Sequence, residues 1–290
     1  MEHDEEVLRT AVIDVALKGG EMLRHHFGAA ARVRTKTSRY DLVTEADEQI
    51  EKELTDYIRQ RFPDHAVVGE EDISRRMLSG QAATRERAVA DVTGERSWEW
   101  LIDPIDGTTN FVHGMPIVAT SVALMYRNEV VAGAVFNPIQ DELYVAVRRH
   151  GATLNGRPLR VSRESDLAES LLATGFQFDP VAGRRLNLDL FASVLNAARN
   201  VRAIGSAALS LCYVGAGRLS GFWELRLGPW DLAAGALIVR EAGGRLSRLD
   251  GQPFDVWQPT VVATNGRIHD QLVRVLNGGG AGDAGGERGA

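Results

Sequence analysis

Four segments place carboxylates where a folded chain usually avoids them. These are Gly69-Glu70-Glu71 after a short apolar run, Asp103-Pro104-Ile105-Asp106 after Trp100-Leu101-Ile102, Asp47 in a helical stretch, and Trp230-Asp231 at a helix start. A buried carboxylate without a partner is costly and tends to take up a proton. No Lys or Arg lies close in sequence to Glu70, Asp103 or Asp106. A hard divalent cation resolves the conflict, because Mg2+ prefers carboxylate oxygens and keeps several of its waters. The chain has no His-Cys cluster, so Mg2+ or Mn2+ is expected ahead of zinc. Asp106-Gly107-Thr108-Thr109-Asn110 adds a second element. A Gly and two Thr after an acidic turn suit a helix N-terminus whose N–H groups and hydroxyls face an anion. Metal beside such a helix end is a layout for phosphoryl hydrolysis. Each carboxylate also has a plainer reading, with Asp106 capping a helix and Asp103 ending a strand. The residues by themselves leave both readings open.

Several elements must position these groups. Val7, Leu8, Ala11, Val12, Val15 and Ala16 recur at helical spacing, which predicts an opening amphipathic helix that stops near Phe27-Gly28. Residues 31–43 read as an exposed loop or hairpin. Thr44-Glu45-Ala46-Asp47 is close to a capping box and opens a second helix, with Ile50, Leu54, Tyr57 and Ile58 inward and Pro63 as its end. Ala66-Val67-Val68 and Trp100-Leu101-Ile102 read as buried strands. Residues 72–97 show no clear period and read as a long surface excursion. From Ile117 to Val147, apolar runs broken at Arg127-Asn128 and Asn137-Pro138 predict a three-stranded antiparallel meander.

The second half alternates. Strands are expected at Leu171–Thr174, Val201–Ile204, Gly221–Glu224 and Val261–Ala263, and helices at Gly183–Ala198, Ser206–Ala216, Trp230–Ala242 and Ile268–Leu276. This order predicts an α/β chain in which sheets are covered by helices. Residues 277–290 have no apolar face and read as a disordered Gly-rich tail.

Composition removes other classes. The 290 residues are 44% hydrophobic and 25% charged, with a formal net charge of -6. That balance argues against a nucleic-acid or anionic-membrane surface. It would also repel an anionic substrate unless bound metal reversed the local field. The single cysteine, Cys212, lies in an apolar run and reads as a buried structural thiol. The acidic N-terminus is no signal peptide, and no apolar run approaches the ~18 residues that span a bilayer. A reducing, cytoplasmic setting is the expectation.

Trp100 to Gly114 as a block resembles the signature of the inositol monophosphatase family, as does Trp230-Asp231-Leu232-Ala233-Ala234-Gly235 followed by Glu241-Ala242-Gly243-Gly244. Asp41-Leu42-Val43-Thr44-Glu45-Ala46-Asp47 and Gly69-Glu70-Glu71 resemble two earlier blocks of the same family, in the same order. The likeness runs from about residue 5 to 276. It implies an α-β-α-β-α sandwich, with a catalytic domain over residues 1–276 formed of two fused halves that meet near residues 155–165.

The resemblance also implies roles. Glu70, Asp103 and the carbonyl of Ile105 would hold a first metal, and Asp103, Asp106 and Asp231 a second. Glu70 would help a third through water, giving two to three Mg2+ ions. Gly107 and Thr108 would receive phosphate oxygens, while Asp47 and Thr108 orient the attacking water. Glu71 and Lys36 would support the site, Lys36 by closing over it. Ser206, Ala207, Glu224 and Asp106 would meet the alcohol. Arg226 departs from the family, which usually carries Gly there, and this puts the alcohol preference in question. The implied function is Mg2+-dependent hydrolysis of myo-inositol 1-phosphate by a lithium-sensitive homodimer. Histidinol phosphate, fructose 1,6-bisphosphate or a nucleotide phosphate are alternative substrates, and a regulatory homologue without turnover is a further alternative.

Overall fold

The computed structural model describes residues 4–28, 33–35, 42–81, 85–94, 97–179 and 184–279. The apolar stripe of the opening segment is buried along α1 (Glu5–His26), which the Asp4 carboxylate caps through Glu6 N–H. A short antiparallel pair follows, β1 (Val33–Thr35) and β2 (Leu42–Thr44). Thr44 and Asp47 then form a reciprocal capping box that opens α2 (Glu45–Arg61). The remaining elements of the first half are β3 (Ala66–Gly69), α3 (Glu70–Leu78), α4 (Arg85–Thr93), β4 (Trp98–Asp106) and α5 (Thr108–Val112). After them come β5 (Ala119–Tyr126), β6 (Glu129–Asn137), β7 (Glu142–Val147), β8 (Ala152–Leu154) and β9 (Arg157–Pro158).

Strands β3 to β9 lie side by side in chain order in a seven-stranded sheet, parallel at β3–β4 and antiparallel elsewhere. The meander read from the sequence is β5, β6 and β7. The second half holds β10 (Leu171–Thr174), β11 (Phe178–Asp179), β12 (Arg184–Arg185), α6 (Leu188–Ala197), β13 (Asn200–Ala203) and α7 (Ala207–Gly215). It continues with β14 (Gly221–Leu225), α8 (Pro229–Glu241), β15 (Arg245–Ser247), β16 (Thr260–Thr264) and α9 (His269–Leu276). Its five-stranded sheet has the order β13-β10-β14-β16-β15.

The layers follow from which faces are apolar. α1 and α2 cover one face of the seven-stranded sheet, with Leu23, Ile50, Leu54, Trp100 and Phe136 in the shared core. α7 and α8 fill the space between the two sheets, and α8 is buried on nearly every side chain from Trp230 to Val239. α6 and α9 cover the outer face of the second sheet around Trp223 and Leu272. The result is the five-layer α-β-α-β-α sandwich. Cys212 is fully buried in α7, and burial pushes its thiol well up.

Two expectations change. The stretch 72–97 is not a structureless excursion, because its described residues include most of α3 and all of α4, which bury Ile73, Ala88 and Val89. Each helix has only nine residues, too few turns for an apolar period to stand out among charges. α6 begins at Leu188 rather than Gly183, because Asn187 sits in the left-handed region at φ 74. The Asn187 amide donates to Thr174 Oγ1 and the Gly175 carbonyl, and its Oδ1 accepts from Trp223 Nε1 at 2.7 Å. β8, β9 and β15, of three residues or fewer, were too short to read. The expected tail lies, from residue 280 onward, outside the described residues.

The close approach of β6 to α8 requires a glycine: a Cβ on Gly133 would lie 2.8 Å from Ala234 Cα. Gly133→Ala must part a strand from the central helix, and should lower unfolding free energy by about 1–3 kcal/mol. Urea denaturation checks this, and a wild-type midpoint would contradict the packing.

Candidate active site

β4 passes straight through Asp103-Pro104-Ile105-Asp106 rather than ending at Asp103. Asp103 pairs with Ser121 while Asp106 pairs with Ala119, so one extra residue bulges out of β4 between them. Bulges re-aim side chains at strand ends. Asp103 is buried, and its Oδ1 accepts from Ile105 N–H at 3.0 Å. Thr120 Oγ1 donates to the Pro104 carbonyl at 2.9 Å and pins the bulge.

Two helices bring further carboxylates to this point. Glu70 is the first residue of α3, directly after β3. Asp231 lies in the first turn of α8, where its Oδ2 accepts from Gly228 N–H at 2.6 Å. One oxygen each from Glu70, Asp103 and Asp231 lies within 4.8 Å of the others. Three hard oxygen donors from three separate elements fit an Mg2+-type cation, which would offset their mutual repulsion.

Asp106 is not in this group. The Ser206 hydroxyl and the N–H of Ala208 donate to its Oδ2, and Ala207 N–H donates to its Oδ1 at 3.1 Å. The carboxylate therefore caps the N-terminus of α7. Burial pushes Asp106 up to about 6, against the downward pull of those donors. The Ile105 carbonyl accepts from Thr108 Oγ1 at 3.2 Å.

Asp47 faces the same turn from α2. Its Oδ2 accepts from Thr44 N–H at 2.8 Å, and its Oδ1 lies 3.4 Å from Thr108 Oγ1, whose single proton serves either this oxygen or the Ile105 carbonyl. Gly107, at φ 95, precedes the short α5, and a Cβ there would press on the Ile117 and Gly205 carbonyls. Asn110 holds the turn by donating to the carbonyls of Ile117 and Ile204, both at 2.9 Å. Glu224, on β14, is fully buried and accepts from Gln177 Nε2 at 3.1 Å. Burial, helped by the charge of Asp106, pushes Glu224 up to about 8. Lys36 lies outside the described residues.

The pattern of the Inositol monophosphatase family matches residues 4–279. The chain belongs to this family. An inositol-1-monophosphatase of Synechocystis is 40% identical over 91% of this chain and 86% of its own length. A Thermotoga maritima protein named fructose-1,6-bisphosphatase/inositol-1-monophosphatase is 37% identical over 91% of this chain and 94% of its own. Among solved structures, the extragenic suppressor protein suhB of Bartonella henselae superposes with a TM-score of 0.82 at 34% identity, over 94% of this chain and 99% of that one.

Arg226, where the family usually carries Gly, has φ 62. This is the left-handed conformation that favours Gly. Sequence reasoning passed over Glu51, Gln177 and the anchoring role of Asn110. Glu51 carried a signal: it lies four residues after Asp47, on the face of α2 that buries Ile50, Leu54 and Ile58. A charge on an apolar stripe needs a partner. Gln177 carried none, since its partner Glu224 is 47 residues away.

Glu224 yields a pH prediction. Its carboxyl loses its proton near 4.5 when unfolded and near 8 when folded. Between those values the folded state holds the extra proton, so stability falls as pH rises through that window. Glu224→Gln should therefore be more stable than wild type by on the order of a few kcal/mol near pH 9, with the gap closing towards pH 4. Denaturation in EDTA across pH measures it, and equal stabilities at the alkaline end would contradict the assignment.

Proposed function

We propose that the chain hydrolyses phosphate monoesters, preferring myo-inositol 1-phosphate, with Mg2+ held by Glu70, Asp103 and Asp231. The observation that carries this reading is the convergence of those three carboxylates at the strand end that leads into the Asp47–Thr108 pair. When bound, Mg2+ supplies Lewis acidity, lowering the pKa of a water and offsetting charge on the phosphate and the departing oxygen.

The chain's own residues do the rest. Thr44 anchors one oxygen of Asp47, which leaves the other to the Thr108 hydroxyl. Thr108 aligns a water for direct attack on phosphorus, and Asp47 takes up its proton. The amides of Gly107 and Thr108 receive phosphate oxygens. With water as the nucleophile the attack is direct and forms no covalent enzyme intermediate. Asp106 keeps the α7 end in place, so that Ser206, Ala207 and Glu224 face the alcohol. Glu71, buried beside Glu70, supports the metal side. The Ile105 carbonyl would add to the first ion, Asp106 would join Asp103 and Asp231 in holding a second, and Glu70 would help a third through water.

Glu224 favours a polyhydroxylated alcohol, since a buried carboxyl exchanges hydrogen bonds with ring hydroxyls. A second reading is dual activity on inositol 1-phosphate and fructose 1,6-bisphosphate, supported by the name of the Thermotoga relative. Among the described residues no helix is long and apolar enough to cross a membrane. Lithium inhibition, a homodimeric state and a cytoplasmic setting belong to the same proposal.

The test is phosphate release from inositol 1-phosphate, fructose 1,6-bisphosphate, histidinol phosphate and a nucleoside monophosphate, with and without Mg2+. Inositol 1-phosphate should turn over fastest, and only with metal; metal-independent release would overturn the reading. Asp103→Asn should fold normally and lose roughly 10²–10³-fold or more in Mg2+-dependent kcat. Full activity in that folded variant would remove Asp103 from the site. Millimolar lithium should inhibit the wild type.

A further inference from the structure

α3 begins on Glu70, yet its N-cap residue is Gly69, which has no side chain to satisfy the first N–H groups of the helix. Those groups are met from another helix. The Glu51 carboxylate, on α2, accepts from Glu71 N–H at 2.7 Å and from Asp72 N–H at 2.7 Å. These are the second and third residues of α3, the two positions that a capping side chain serves. Glu51 is 5% exposed, so its carboxylate has little access to water and is committed to this contact.

Gly69 is the other half of the fit. Its φ of -102 is open to any residue, so backbone conformation does not demand glycine there. Space does: a Cβ on Gly69 would lie 2.3 Å from the Glu51 carboxyl carbon and within 2.7 Å of both its oxygens. Glycine is thus the residue that lets the carboxylate reach the helix end. One turn earlier on α2, Asp47 holds the Thr108 hydroxyl. A single rigid helix therefore grips both flanks of the site, the water-orienting flank through Asp47 and the Glu70 flank through Glu51.

We infer that Glu51 is a positioning residue for the metal site, fixing where α3 starts and hence where the Glu70 carboxylate stands relative to Asp103 and Asp231. This rests on the reading of those three carboxylates as a metal site. A local cap in which Glu51 merely completed α3 would contribute stability alone. A positioning role adds metal affinity, because the three oxygens must be held together against their repulsion before a cation binds.

The experiment separates these roles in the full-length protein, using Mn2+ as the probe. Mn2+ binding is followed by electron paramagnetic resonance, and folding is followed by thermal denaturation in EDTA. Glu51→Gln keeps the shape but replaces one acceptor oxygen with a donor that faces an N–H. Gly69→Ala keeps the charge but displaces the carboxylate, so it reaches the same result without removing Glu51. Both should bind Mn2+ roughly 10–100-fold more weakly than wild type while folded, as losses of groups that orient ligands do. A lowered melting temperature with wild-type Mn2+ affinity, in either folded variant, would overturn the inference and leave a structural cap. Should one substitution prevent folding, the other decides. A wild-type protein that binds no Mn2+ would instead overturn the metal reading beneath it.

Discussion

Like charges held together against their repulsion are the constraint on which this structure turns. One oxygen each from Glu70, Asp103 and Asp231 lies within 4.8 Å of the others, and flexible side chains would swing apart. Each is therefore tied to a different rigid element close to its end. Glu70 and Asp231 sit in the first turns of α3 and α8, where the helix dipole favours a negative group. Asp103 sits at a bulge in the buried strand β4 and accepts from its own turn. The interior position of α8 between the sheets means that moving Asp231 would disturb the core.

A second set of buried carboxylates surrounds the first and does different work. Asp47 is satisfied by Thr44 and Thr108, Glu51 by Glu71 and Asp72, and Asp106 by Ser206, Ala207 and Ala208. Each uses backbone N–H groups or hydroxyls in place of water, which offsets only part of the burial that pushes Glu51 up to about 7 and Asp106 up to about 6. Each also joins elements distant in sequence, up to 102 residues apart for Asp106 and Ala208. These acids fasten elements together, while Glu70, Asp103 and Asp231 bring three oxygens within 4.8 Å of one another.

Legibility followed length and local closure. α1 and α2 were readable because each repeats an apolar face over several turns, and the Thr44–Asp47 box closes within one turn. The β5–β7 meander was readable because its turns interrupt apolar runs. α3 and α4 were not, since nine residues give about two and a half turns, too few for an apolar face to repeat. Helix α6 was placed too early because the capture of Asn187 by Thr174 and Trp223 is a tertiary event.

The chemical inventory is a property of the sequence alone: hard oxygen donors in Gly69-Glu70-Glu71, Asp103-Pro104-Ile105-Asp106 and Trp230-Asp231, with Gly107 and Thr108 shaped for an anion. That inventory suits a divalent cation and a phosphate, because residue type sets ligand hardness and turn shape, and the order of the four motifs gave the family. The division of labour among the acids was decided by the tertiary structure. Asp103 and Asp106 lie three residues apart on one strand, yet Asp103 accepts from its own turn at Ile105 while Asp106 reaches the α7 amides. The role of Glu51 emerges only when α3 is brought against α2. Which N–H groups arrive beside a carboxylate depends on long-range packing, so the hydrogen-bond partners of each acid were decided by the tertiary structure.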